Sequence, residues 1–188
     1  VLIVCEDTKS ARYYFESFGI DPQRAEVIPV GTGMNTDSLV EEAIKLKSEA
    51  VRRCQPYNEV WCVFDRDNFP TPNYDRAFQL IRANGLKVAW ANEAFEIWYL
   101  LHFNYHDTGI SRDGYKTKLK PHFDYSKADK TIYARVKPHQ ETALKNACRL
   151  ERHWNEMGEK FPERQNPSTS VHKLVEFLNE LRDLGSAD

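Results

Sequence analysis

The sequence predicts an α/β fold: a mostly parallel four-stranded sheet with helices on both faces, followed by a C-terminal helical extension. Three observations predict it. Short apolar runs and longer amphipathic stretches take turns over the first hundred residues. That alternation is the signature of strand–helix–strand units, which build parallel sheets. The apolar runs are continuous, as expected of strands covered on both faces. Beyond residue 103 the pattern changes to polar, basic and then helical, with no internal repeat and no low-complexity segment.

The elements follow in order. Residues 1–5 are uniformly apolar and form the first strand. Residues 9–18 form a short helix with Tyr14, Phe15 and Phe18 on one side, and Gly19 stops it. A second strand covers 25–30. Gly31-Thr32-Gly33 turns the chain, and Thr36 or Asp37 caps a helix over 38–54, whose buried stripe is Leu39, Ala43, Leu46, Ala50 and Val51. The third strand, 60–64, is again apolar. A helix follows over 74–84 and ends at Gly85. The fourth strand is 87–91, and an aromatic-rich helix covers 93–103. In the extension, 104–136 has weak periodicity. A long helix spans 139–157 with Ala143, Ala147, Leu150 and Trp154 at helical spacing. Asn166-Pro167-Ser168-Thr169 opens the last helix, with Ser168 or Thr169 as cap and Val171, Leu174, Val175 and Leu178 on its apolar face. Residues 1–103 are thus expected to be the core, with 104–188 packed on it.

A chain of 188 residues can bury roughly 70% of its unfolded surface, so it needs neither disulfide nor metal in order to fold. No apolar run reaches the roughly 18 residues of a membrane span, and the basic region and cleavage site of a signal peptide are not recognisable. The chain opens on a strand without Met, which leaves room for a preceding piece. Cys5, Cys54, Cys62 and Cys148 form no C-x-x-C pair, which argues against a zinc ribbon or redox motif. Cys5 and Cys62 lie inside apolar strands and read as small buried hydrophobes. Cysteine usage of this kind fits a reducing, cytoplasmic setting.

In parallel sheets, functional groups gather beyond the carboxyl ends of the strands. Glu6 and Asp7 follow the first strand, Asp65-Arg66-Asp67 the third, and Asn92, Glu93 and Glu96 the fourth. Residues two apart in extended chain point the same way, so Asp65 and Asp67 can share an ion, and a neighbouring first strand would add Glu6. Clustered carboxylates repel one another, and a hard cation relieves them; all-oxygen ligands suit Mg²⁺ or Mn²⁺. Glu96, among Phe95, Ile97 and Trp98, needs a partner if buried, either as a further metal ligand or as an anchor paired with an arginine. Asp7 and Glu93 read as acids at helix N-termini. His102 and His106 have i, i+4 spacing but no third ligand, which favours a packed or solvated role. The bland alternative for Asp65 and Asp67 is a pair of polar residues in a loop.

The net charge of −2 is uneven. Residues 112–137 hold eight Lys or Arg against three Asp, a local +5 that leaves −7 elsewhere. Such a segment, with Tyr115, Phe123, Tyr125 and Tyr133 among its charges, suits a phosphate backbone with stacked bases; the bland alternative is a solvated basic loop. Lys9, Arg12 and Arg66 lie near the acids in sequence and are candidates to touch phosphate oxygens.

A Glu after the first strand with a D-x-D after the third resembles the Toprim signature of topoisomerases, primases and nucleases. The chain more specifically resembles the RloB-like family. The matching stretches are Leu2-Ile3-Val4-Cys5-Glu6, Glu59-Val60-Trp61-Cys62-Val63-Phe64-Asp65-Arg66-Asp67, Phe95-Glu96-Ile97-Trp98-Tyr99-Leu100-Leu101-His102-Phe103, Tyr125-Ser126-Lys127, and the run from Asn166-Pro167 to Leu174-Val175. It departs from the family pattern at Asp7, where Gly is common, at Ala11, near a usual acid, and at Glu93, near a usual Pro.

The resemblance implies a Toprim/Rossmann-like nuclease of restriction or anti-phage defence loci, often beside an ABC-type ATPase. It places Glu6, Asp65 and Asp67 in the metal site and Glu96 in the family's aromatic-acid motif. The expected chemistry is Mg²⁺- or Mn²⁺-dependent phosphodiester hydrolysis on DNA or RNA, with Glu6, Asp65, Asp67 and Glu96 catalytic and Lys9, Arg12, Arg66 and Lys127 on substrate. A homo-oligomer is compatible with this, a membrane partner is not. The competing class is a non-catalytic module docking an ATPase or a nucleic-acid end. A phosphoacceptor receiver domain would need a Lys after a fifth apolar strand, and none is evident; a topoisomerase needs a far larger chain with a tyrosine-bearing domain.

Overall fold

The computed structural model describes residues 1–29, 36–66 and 71–185, with the side chains of 71–74 and 185 outside that description. Strands β1 (Leu2–Cys5), β2 (Glu26–Pro29), β3 (Val60–Asp65), β4 (Lys87–Asn92) and β5 (Ser168–Thr169) form one sheet in the order β2-β1-β3-β4-β5. The first four run parallel and β5 is antiparallel to β4. The sheet is therefore five-stranded, one more than expected. The added edge is a two-residue polar segment from the extension, paired as Ala91 with Thr169 and Asn92 with Ser168.

Alternate residues of each doubly buried strand serve opposite faces. On one face Leu2, Val4, Val60, Cys62, Phe64 and Trp90 pack against α2 (Thr36–Arg52) and α3 (Thr71–Ala83) through Leu39, Val40, Ala43, Ala77 and Ile81. Of the expected α2 stripe, Val51 is instead exposed. On the other face Ile3, Cys5, Trp61, Val63, Ala89 and Ala91 meet α1 (Ser10–Glu16), α4 (Glu96–Leu101), α7 (Gln140–Glu156) and α8 (Val171–Gly185). Helices thus cover both faces.

Helix α1 is shorter than its periodicity suggests, and α4 covers only the middle of 93–103. All six residues of α4 are buried, because α1, α5 (Arg112–Leu119) and α7 surround it, and Trp98 is fully enclosed. A short helix α6 (Ile132–Val136) leads through a 3-10 turn into α7. Gly19 and Gly85 both adopt positive φ, 78° and 58°, the left-handed conformation that glycine takes at little cost. Thr36 and Asp37 lie within the first turn of α2 rather than ahead of it. Thr169 accepts a hydrogen bond from the Val171 N–H at 3.1 Å, which ties β5 to the start of α8. Ser170 locks the same junction to β4: its Oγ accepts from the Trp90 N–H at 3.0 Å, and its own N–H donates to the Trp90 carbonyl at 2.9 Å.

Tyr115, Phe123, Tyr125 and Tyr133, expected as stacking surfaces for bases, are all buried. They belong to the apolar cluster that joins the extension to the sheet. Their spacing among lysines reflects short amphipathic turns, with the rings inward and the charges outward. Among the described residues no helix is long and apolar enough to cross a membrane.

Candidate functional site at the carboxyl ends of the strands

Strands β1 and β3 are direct neighbours in register, Cys5 beside Val63, so their ends deliver Glu6 and Asp65 side by side. The Glu6 N–H donates to the Val63 carbonyl at 2.9 Å, continuing the ladder by one bond. Glu6 Oε2 in turn accepts the Asp65 N–H at 3.2 Å. Asp67 lies outside the described residues. Among the described residues no three of His, Cys, Asp and Glu form a group that could hold a metal ion; the Glu6 carboxylate meets the main chain of Asp65 and adds to the negative charge around its side chain.

Asp65 is 13% exposed at its side chain. Its carboxyl is pushed well above the ordinary carboxylate range, first by burial and then by the negative charge of Glu96, with smaller contributions from Glu6 and Asp7. Arg112 opposes these effects, its Nη2 lying 3.4 Å from Asp65 Oδ2. A buried like-charge cluster of this kind favours neutral carboxyls unless a cation joins it.

Glu96, at the start of α4, is 2% exposed. Its Oε1 accepts from Ser10 Oγ at 3.2 Å and, closely, from the Tyr125 hydroxyl, with Lys127 Nζ at 3.8 Å. Its Oε2 is buried with no hydrogen-bond partner among the described residues. The sequence leaves Glu96 either a metal ligand or an anchor paired with an arginine; the side chains that meet it are a serine, a tyrosine and a lysine. Burial and the nearby Glu96 charge push the Tyr125 phenol up, which keeps it protonated and able to donate. The Tyr99 hydroxyl donates to the Ser10 carbonyl at 2.9 Å, fixing the start of α1 against α4.

Asp7 accepts from the N–H groups of Lys9 and Ser10 at 2.9 and 2.8 Å, as an acid at the N-terminus of α1 should. Glu93 serves a different helix from the one expected. Its Oε2 accepts the Arg112 N–H at 3.0 Å, at the start of α5, and its Oε1 accepts from Asn166. The Tyr115 hydroxyl donates to the Asn92 carbonyl at 3.2 Å and holds α5 to the end of β4.

Of the basic residues singled out in the sequence, Lys127 reaches the carboxylates. Arg66 directly follows Asp65, and its N–H donates to the Ala91 carbonyl at 2.7 Å. Arg12 pairs with Glu16 at 2.6 Å on the surface of α1, and Lys9 is exposed at the start of that helix. His102 is buried, its Nδ1 2.8 Å from the Trp98 carbonyl, and its ring packs on Trp98; that is the packed role.

Arg112, Ser10 and Tyr125 are the residues of this site to which sequence analysis gave no role there. Arg112 was visible only as one charge of the basic segment. Ser10 carried no signal, and Tyr125 stood in a stretch shared with the family.

A cleft of about 490 Å³ opens beside Glu96, lined by Arg112, Asp113, Lys116, Asp124, Tyr125, Ser126 and Lys127. The buried carboxylates of Asp65 and Glu96 thus lie beside a cleft whose lining includes Arg112, Lys116 and Lys127.

Compared with known proteins, the chain matches the family model described as RloB-like protein over residues 1–178. No curated protein and no solved structure matches the chain.

Proposed function

For a chain that belongs to the RloB-like family, we propose a metal-dependent nuclease of the Toprim type that hydrolyses phosphodiester bonds in nucleic acid, in the setting of phage defence or restriction. The observation that carries this reading is that Glu6 and Asp65 leave adjacent strand ends together, the Glu6 carboxylate accepting the Asp65 main-chain N–H at 3.2 Å, with Asp65 destabilised as an anion by its surroundings. Hard oxygen donors that repel one another fit Mg²⁺ or Mn²⁺. Glu6 and Asp65, with Asp67 following in sequence, are the residues that would hold the ion. When bound, the ion would activate water and neutralise charge on the phosphate.

The chain's own groups supply the rest. Arg112, beside Asp65, can take a non-bridging phosphate oxygen through its guanidinium. Ser10 and Tyr125 hold the Glu96 carboxylate by Oε1, which leaves Oε2 for a proton or a second ion. Lys127 offsets the charge of Glu96 and adds a cation to the substrate side.

The test is a cleavage assay on DNA, tRNA and single strands with Mg²⁺ or Mn²⁺, with and without an ABC-type ATPase encoded beside it. Cleavage that needs the metal and is lost in Asp65→Ala and Glu6→Ala is the expected result. Cleavage that survives both substitutions refutes the assignment. A protein that binds the ATPase or nucleic-acid ends and never cuts is the non-catalytic module instead.

A further inference from the structure

The cleft beside Glu96 does not end there. A second cleft of about 390 Å³ continues from it, lined by Lys116, Thr117, Lys120, Asp124 and Tyr125. The two share Lys116, Asp124 and Tyr125, so together they form one trough along α5. Arg112, Lys116 and Lys120 are four residues apart on that helix, and Lys120, its C-cap, keeps helical φ and ψ. Four residues advance an α-helix by about 6 Å, so the three cations stand in single file on one face. Lys116 and Lys120 are exposed, and Lys127 lines the inner cleft together with Lys116. The acids of the trough are Asp113, Asp124 and the enclosed Glu96. At the inner end Arg112 touches Asp65, so the file of cations starts at the carboxylates and leads away from them.

We propose that this trough is the track of a single nucleic-acid strand, with Arg112 at the phosphate next to the carboxylates and Lys116 and Lys120 on successive phosphates beyond it. The inference rests on the nuclease reading and gives it a substrate class and a direction. The cation interval is of the order of the separation of consecutive phosphates on one extended strand. A single file serves one backbone rather than the two of a duplex. Tyr125, buried under the trough with its hydroxyl engaged by Glu96, forms a floor and not a stacking platform. Recognition along this path is therefore electrostatic and indifferent to base identity.

The test is fluorescence anisotropy of labelled single-stranded DNA and RNA in Ca²⁺ without Mg²⁺, across a range of salt. It compares the wild type with the Lys116→Ala, Lys120→Ala double variant. Lys45→Ala, an exposed lysine on α2 paired with Glu42, controls for loss of charge elsewhere. The double variant should bind about tenfold more weakly, and its log-affinity against log-salt slope should fall by roughly 0.7 for each lysine removed; Lys45→Ala should behave as wild type. Unchanged affinity and slope in the double variant, while the wild type binds and cuts the same strand in Mg²⁺, overturns the track and leaves the nuclease reading standing. A wild type that neither binds nor cuts overturns both. Tighter binding of a blunt duplex, or equal lysine-dependent binding of a poly-glutamate peptide, overturns the single-strand assignment.

Discussion

The main-chain N–H of Asp65 donates to Oε2 of Glu6 at 3.2 Å, although 59 residues separate them. The bond exists because β1 and β3 lie side by side and both chains leave the sheet at the same level. It holds the Glu6 carboxylate in place and leaves that of Asp65 to contend with Glu96 and Arg112. Two acids with such different surroundings should respond differently to the same neutralising substitution.

Asp65→Asn is expected to abolish metal-dependent cleavage, by at least about a hundredfold, while raising stability in metal-free buffer. The carboxyl of Asp65 sits above its ordinary range in the folded state, so the folded protein binds a proton more readily than the unfolded chain does. Stability therefore falls as pH rises from the ordinary carboxylate value through the raised one. The amide removes that loss, and a gain of about 1 kcal/mol near neutral pH follows the usual opposition of stability and function. Urea denaturation of both proteins at pH 7 checks it; a less stable Asn variant would mean that the Arg112 pair outweighs the repulsion.

Metal should bind without substrate. At a hundredfold excess over its dissociation constant, Mn²⁺ stabilises the folded state by about 2.7 kcal/mol, which in a domain of this size is a rise in Tm of roughly 5–11 °C. Glu6→Gln should remove most of that rise and keep the metal-free Tm close to wild type, since Gln Oε1 can still accept the Asp65 N–H. Differential scanning calorimetry with and without Mn²⁺ reads both. An identical rise in the variant would place the ion elsewhere.

The doubly buried strands and the acids at their ends could be read from sequence because each rests on a local pattern. An unbroken apolar run such as Val60–Phe64 needs no knowledge of its neighbours, and an acid directly after it is at the functional edge wherever the strand lies. The parts that escaped depend on distant pairing. Ser168 and Thr169 are two polar residues with no periodicity, and only their bonds to Trp90 and β4 make them a strand. Helix α5 buries just Tyr115 and Leu119, too few to mark a face amid the surrounding lysines. Arg112 meets Asp65 across 47 residues, which no spacing rule spans. Burial of the basic segment's aromatics follows from the enclosure of α4, a property of the assembled lobe.

Tyr125→Phe and Glu96→Gln should separate support from chemistry. The phenylalanine keeps the ring in the core and removes the closest donor to Glu96 Oε1, leaving Ser10 at 3.2 Å and Lys127 at 3.8 Å. A buried carboxylate that loses a donor costs about 1–3 kcal/mol. Glu96→Gln can still accept from both hydroxyls and removes a charge that disfavours ionised Asp65, so its stability should match wild type within about 1 kcal/mol while cleavage falls. Stability of the two variants by urea denaturation, with their cleavage rates, tests this. A Glu96→Gln protein that cuts at the wild-type rate would reduce Glu96 to an anchor for α1 and the Tyr125 loop.

His102 gives the fold a response to mild acid. Its ring is buried against Trp98 and Tyr14, and burial lowers its pKa from the ordinary 6.5 to about 4. Above pH 6.5 the ring is neutral in both folded and unfolded chains and contributes no pH dependence. Below that value the unfolded chain takes up a proton that the folded one refuses, so stability falls with decreasing pH until about pH 4, where the folded ring protonates as well. A gap of this size amounts to about 3 kcal/mol. His172, also buried and also lowered, acts in the same direction. In His102→Asn the amide nitrogen can keep the bond to the Trp98 carbonyl, and the titration disappears. The variant should be less stable at pH 7 through lost packing, yet its stability should decline less steeply between pH 6.5 and 4. Denaturation midpoints of both proteins at half-unit pH steps measure the difference; parallel curves would mean that the ring already takes up its proton in the folded state near pH 6.5.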